Sequence, residues 1–166
     1  MTGALETWRA RPRAQRLARL EATPGELARA LDDAPPALLA RRPAPAAWAP
    51  VEVLCHLRDA EESFLDRCRQ IAASPLEPRF PTTNPDRWAA ERQYLRHDPR
   101  LALAAFARLR AETLALFRGL AEGGWARAGV QLDSRGRRTL DDFLAVMAWH
   151  DANHLDQLAR ALAGRA

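Results

Sequence analysis

Apolar residues recur at helical spacing in four stretches of the chain and almost nowhere alternate with period two. The first strong start signal is Thr23-Pro24-Gly25-Glu26, in which Thr23 serves as N-cap, Pro24 takes the first helical position and Glu26 closes a capping box. Leu27 and Leu31 mark that helix's apolar face until Pro35-Pro36 ends it. A second helix opens at Pro50 and runs to about Ile71, with Val53, Leu57, Ala60, Phe64 and Ile71 at its apolar centre. Asp98-Pro99 starts a third, whose Leu103, Phe106, Leu109, Leu116, Phe117 and Leu120 keep helical spacing to about Ala121. Thr139 with Asp142 makes a capping-box-like start for the last helix, and Gly164 is placed to stop it.

The joints between these helices carry turn chemistry. Residues Ser74 to Pro85 hold four prolines and read as a loop, and a short amphipathic piece covers Asp86 to Tyr94. Gly123-Gly124 and Asp133-Ser134-Arg135-Gly136 mark turns between Glu122 and Arg138. A shorter helix is expected from about Pro12 to Glu21. The pattern predicts an all-α four-helix bundle with long connections and a short extra N-terminal helix. Residues 1–166 are expected to form a single domain, with 1–22 as a helical N-terminal extension.

Composition narrows the function classes. With 48% hydrophobic and 28% charged residues, the chain is globular rather than disordered. Its longest uncharged apolar runs, such as Phe143 to Ala148, fall far short of the roughly 18 residues that a membrane span requires. No apolar signal segment precedes a cleavage site, so a soluble cytoplasmic protein is expected. All 25 basic residues are arginine and isoleucine occurs once, at Ile71, which is the imprint of GC-rich coding. A net charge of +4 therefore says little about partners. Arg9, Arg11, Arg13, Arg16 and Arg19 form the densest basic stretch and read as a solvated helix face. The chain lacks a helix-turn-helix, zinc-finger or aromatic-interleaved basic signature, which argues against nucleic-acid binding. Cys55 and Cys68 read as reduced thiols packed as small apolar groups. Close packing of alanine-rich helix faces suggests a two-fold homodimer.

Three of the four histidines stand where chemistry can be done. His150 and His154 are four apart on one helix face, a spacing that lets two imidazoles converge on one metal ion. Phe143 and Met147 lie on nearly the same stripe, so the pair points toward the bundle interior. His56 lies at the edge of the second helix's apolar centre, where Glu52, Asp59 and Ser63 extend a polar stripe of the kind that lines a wet cavity. Alone it also fits a core histidine donating to a carbonyl. Three neutral imidazoles would leave a fourth position open, as catalytic zinc sites do. His97, in a joint before Asp98-Pro99, reads as surface.

From Glu21 to Leu162 the sequence resembles the DinB-like (YfiT-like) metal-dependent hydrolases. The likeness rests on Arg41-Arg42-Pro43 followed by Trp48, on Val53-Leu54-Cys55-His56-Leu57 with Asp59 and Glu61, and on Thr139-Leu140 leading to His150-Asp151-Ala152-Asn153-His154-Leu155. Ala49 stands where a serine often caps the second helix. The resemblance implies a four-helix bundle in which His56, His150 and His154 hold a divalent metal, zinc or nickel. It also implies hydrolysis at a metal-activated nucleophile or transfer of a low-molecular-weight thiol cosubstrate.

Two functions compete at this stage. One is a metal-dependent hydrolase or thiol transferase acting on a small-molecule substrate, with Asp59, Glu52 or Asp151 as general base or as orienting partner of a ligand imidazole. The other is a non-catalytic stress-response bundle that binds metal or a small ligand. Arg110 and Thr113, near the inner stripe of the third helix, are placed to meet an anionic substrate or to snorkel at the helix edge.

Overall fold

The computed structural model describes residues 4–133 and 135–166. Ser134, part of one expected turn, lies outside the described residues, as do the first three residues of the chain.

The bundle is built from α2 (Arg13–Asp32), α4 (Pro50–Ala73), α6 (Pro99–Arg118) and α7 (Leu140–Leu162). α4 packs on α6 and α7, and α2 packs on the same two, so α2 and α4 stand diagonally across the bundle. Short helices α1 (Leu5–Ala10), α3 (Pro36–Leu39) and α5 (Pro85–Glu91) decorate it. α1 lies against α7 and buries Trp8.

The helix starts follow their caps. The Thr139 hydroxyl accepts from the Asp142 N–H at 3.0 Å, and the Asp142 carboxylate accepts from the Thr139 N–H at 3.0 Å, completing the expected box. Asp98 accepts from the N–H groups of Arg100 and Leu101. At α4, Ala49 offers no hydroxyl, and Glu52 supplies half of the box by accepting the Ala49 N–H at 2.9 Å. Gly164 sits at φ +71°, the left-handed conformation that ends a helix cleanly.

The start expected at Thr23 is corrected. α2 runs unbroken from Arg13 to Asp32 with Pro24 inside it, so residues 13–22 are part of the bundle rather than an extension. A mid-helix proline leaves the carbonyl four residues earlier without its amide donor. That carbonyl belongs to Leu20, and Arg110 Nη1 donates to it at 2.9 Å. The Thr23 hydroxyl oxygen lies 2.8 Å from the Arg19 carbonyl.

A small sheet also departs from the reading of the joints as pure turn. β1 (Arg79–Phe80), β2 (Ala128–Gln131) and β3 (Gly136–Thr139) pair in that order, β1–β2 parallel and β2–β3 antiparallel. Strands of two to four residues are too short to display alternation. Gly129 is required in β2, because a Cβ there would lie 2.6 Å from the Phe80 ring.

The apolar core falls into two clusters. One gathers Leu20, Cys68, Leu114, Phe117, Phe143 and Met147 with Trp8, Phe80 and Trp125 from the flanks. The other gathers Leu27, Leu31, Leu54, Leu57, Phe106 and Leu158 with Tyr94. Each bundle helix runs from one cluster to the other, and between them it contributes a buried polar residue: Thr23, Glu61, Arg110 with Thr113, and Asp151.

Candidate metal centre

α4 and α7 bring His56, His150 and His154 together, with one ring nitrogen from each lying within 4.8 Å of the other two. The Nε2 atoms of His56 and His150 are 3.0 Å apart. Ring centroids are separated by 5.0 Å for His56–His150, 4.5 Å for His56–His154 and 4.3 Å for His150–His154. His56 is 5% exposed and the other two are half-buried.

Neighbouring groups fix the rings. His154 Nδ1 pairs with Gln157 Oε1 at 2.7 Å. An amide oxygen only accepts, so this bond places the proton on Nδ1 and leaves His154 Nε2 a free lone pair. Trp48 stacks on His154 at 6.5 Å and tilts against His56 at 5.0 Å, and Phe64 meets His150 edge-on at 5.5 Å. His56 Nδ1 is buried without a hydrogen-bond partner among the described residues.

Electrostatics keep the three rings neutral. Burial, and then the nearby His154, lower the His56 pKa to about 3. Burial likewise holds His150 well below its ordinary value, with His154, His56 and Arg110 adding to the effect. Burial lowers His154 as well, against the opposing hydrogen bond to Gln157. Three neutral imidazoles facing one another form a cluster of lone pairs that suits a cation. Two nitrogens each about 2.1 Å from one ion stand roughly 3.0–3.4 Å apart, a range that includes the His56–His150 separation.

The acids that the sequence put beside these histidines have other partners. Glu52 is buried and takes Arg42 Nε at 2.8 Å and Nη2 at 2.5 Å as well as the Ala49 N–H. Asp59 accepts from Arg58 at 2.7 Å, Arg92 at 2.5 Å and the Tyr94 hydroxyl at 2.6 Å. Burial would raise the Asp59 pKa, but these three donors outweigh it and hold the pKa below the usual carboxylate value. Asp151 follows His150 directly in sequence, yet its carboxylate bonds to Arg110 and Thr23.

Arg110 and Thr113 also depart from the expected roles, because both are enclosed in the polar layer. Arg110, 1% exposed, donates all five N–H groups: to Glu61 at 3.0 and 2.8 Å, to Asp151 at 2.5 and 3.0 Å, and to Leu20 O. Thr113 donates to Glu61 at 2.6 Å and Thr23 to Asp151 at 2.7 Å. Burial opposes the Arg110 charge, but Asp151 and Glu61 outweigh it and raise its pKa. The sequence reading missed this layer; its signal was the set of polar residues interrupting the inner stripe of all four helices.

Other expected surface groups are tied down. Arg16, 4% exposed, forms a two-pronged pair with Asp141, and Arg13 joins it at 2.9 Å. His97 is half-buried, with Nδ1 3.2 Å from Arg58 and Nε2 3.0 Å from the Arg92 carbonyl. Cys55 and Cys68 are free and buried. Burial pushes the Cys55 pKa up to about 11 and Cys68 higher still, so both thiols stay protonated and unreactive.

A cavity of about 180 Å³ opens beside the cluster, with His56 and His150 on one wall and Phe64, Trp88 and Trp149 around it. Fold and cluster together define an all-α bundle that carries a three-histidine site at the edge of a pocket. Residues 19–158 match the DinB superfamily, and the chain belongs to it. The structure is similar to YfiT from Bacillus subtilis, a probable metal-dependent hydrolase with an unusual four-helix bundle topology. That likeness has a TM-score of 0.83 at 21% identity and covers 90% of this chain and 85% of that one. It is also similar to a mycothiol-dependent maleylpyruvate isomerase, with a TM-score of 0.72 at 12% identity over 91% of this chain and 62% of that one. At these identities the likeness is one of fold. No curated protein matches the sequence. None of its helices is long and apolar enough to cross a membrane, among the described residues.

Proposed function

We propose that the chain is a metal-dependent enzyme in which His56, His150 and His154 hold a divalent ion, zinc or nickel, and which transfers a low-molecular-weight thiol to a small-molecule substrate. The observation that carries this reading is the convergence of three neutral ring nitrogens beside a cavity of substrate size. A bound divalent ion supplies Lewis acidity, the means by which such sites acidify a thiol or water and polarise a carbonyl.

The protein's own contribution is positioning and exclusion of water. Gln157 orients His154, and the Trp48 and Phe64 rings wall off the imidazoles. Cavity access at His56 and His150 favours an enzyme over a closed storage site. No carboxylate lines the cavity among the described side chains. A low-molecular-weight thiol ionises far more readily than water even before it meets a metal, so it asks less of a protein base at such a site.

Elemental analysis of untagged protein, followed by thiol-conjugation assays of the loaded enzyme, tests the reading. One ion per chain with turnover that depends on added thiol is expected. Substoichiometric metal, or an equal rate without thiol, would contradict it.

A further inference from the structure

The cavity beside the histidines also has a basic lining. Arg67 from α4, Arg138 from β3 and Arg135 from the β2–β3 connection all line it. Among the described residues, only Arg135 of the three has a carboxylate partner, Asp133, at 2.5 Å. Arg67 is 5% exposed; among the described residues its side chain makes one hydrogen bond, to the Pro81 carbonyl at 3.5 Å, the outer limit of such a bond, and its guanidinium lies 5.6 Å from the Phe80 ring centre. Arg138 makes no side-chain hydrogen bond or ion pair among the described residues, and its Nε is buried without a partner. The nearby acids are engaged elsewhere: Asp66 accepts from Gln70, and Asp142 caps Thr139 and pairs with Arg9. Burial, and then the charge of Arg135, lower the pKa of both Arg67 and Arg138.

An unpaired guanidinium held out of water beside like charges is costly unless something anionic completes it. The guanidinium fork matches a carboxylate in two-pronged fashion. The rest of the lining is mostly aromatic and apolar, with Phe64, Trp88 and Trp149 alongside the hydroxyl residues Ser63 and Thr83. We propose that this cavity binds a small organic carboxylate, with its anionic end on Arg67 and Arg138, its apolar body against the three rings and its far end at His56 and His150. This deepens the metal-site reading by naming the class of substrate, and its test is made on metal-free protein so that the two stand or fall separately.

Calorimetric titration of EDTA-treated protein with benzoate, its neutral analogue benzamide and inorganic phosphate decides the matter. Benzoate should bind at least roughly tenfold more tightly than benzamide or phosphate, the difference that one or two charge-assisted hydrogen bonds supply. Arg138→Gln should abolish the preference for benzoate while leaving benzamide unchanged. Because Arg138 has no side-chain hydrogen bond or ion pair to lose among the described residues, Arg138→Gln should melt at or above the wild-type temperature, and benzoate should raise the melting temperature of wild type alone. Equal binding of benzoate and benzamide, tighter binding of phosphate, unaltered benzoate affinity in Arg138→Gln, or a large fall in its melting temperature would each overturn the proposal. Arg67→Gln, if folded, should repeat the loss.

Discussion

The Leu20 carbonyl, left without an intrahelical donor by Pro24, is capped from across the bundle by the Arg110 guanidinium at 2.9 Å. One arginine thus repairs a helix interrupted by proline and, through Glu61 and Asp151, ties α2, α4, α6 and α7 into one register. Because Asp151 precedes His154 and follows His150 on α7, the same clamp sets the rotation of the helix that carries two of the three histidines.

Arg110→Met should therefore be severely destabilising. It leaves the buried carboxylates of Glu61 and Asp151 without a counter-charge and the Leu20 carbonyl without its Arg110 donor, and breaking a buried ion pair from one side costs about 3–5 kcal/mol. For a chain of this size the melting temperature should fall by roughly 10 °C. Arg110→Lys should recover little of this, since an ammonium cannot reproduce five donors in a fixed fork. Thermal unfolding followed by circular dichroism measures both; a change within the range of ordinary surface substitutions would mean that the layer is dispensable.

Arg16→Ala should also destabilise, by about 1–3 kcal/mol, because Arg16 is buried and holds Asp141 in the first turn of α7. Burial would raise the Asp141 pKa, but Arg16 and Arg13 together keep it below the ordinary value. Metal content per folded chain should be unchanged, which separates this stability role from the site. Urea unfolding combined with elemental analysis gives both readouts.

The metal-free protein should lose stability as the pH falls below about 6.5. Burial lowers all three histidine pKa values, His56 to about 3, so the unfolded chain takes up these protons first. Stability should be flat with respect to these groups above pH 6.5 and decline steadily toward pH 3. Between pH 6.5 and 5 most carboxylates are still ionised, so the slope there belongs to the histidines. Urea midpoints in EDTA at pH 7, 6 and 5 test this; equal midpoints would show that the rings are not desolvated.

Much of the bundle was legible because helix signals are local. Proline at the start of α4 and α6, the Asp98 cap, the Thr139–Asp142 box and the 3.6-residue apolar stripe each lie within a few residues of one another. The His150–His154 pair was legible for the same reason. Thr23-Pro24-Gly25-Glu26 misled because a capping box and a mid-helix Thr-Pro look alike in sequence. What distinguishes them is a donor from Arg110, some 90 residues away. The roles of Glu52, Asp59 and Asp151 were hidden for a related reason, since arginines on other segments had claimed them. The strands were too short to carry a period.

The central claim is that three ring nitrogens hold one ion, and metal content across single histidine variants tests it most directly. His56→Ala, His150→Ala and His154→Ala, each refolded or dialysed with zinc or nickel and then freed of excess, should each retain far less metal than wild type. His97→Ala should keep full stoichiometry, since its bonds run to Arg58 and the Arg92 carbonyl. Wild-type metal content in His154→Ala, with the fold intact, would mean that the cluster is packed core and would contradict the account.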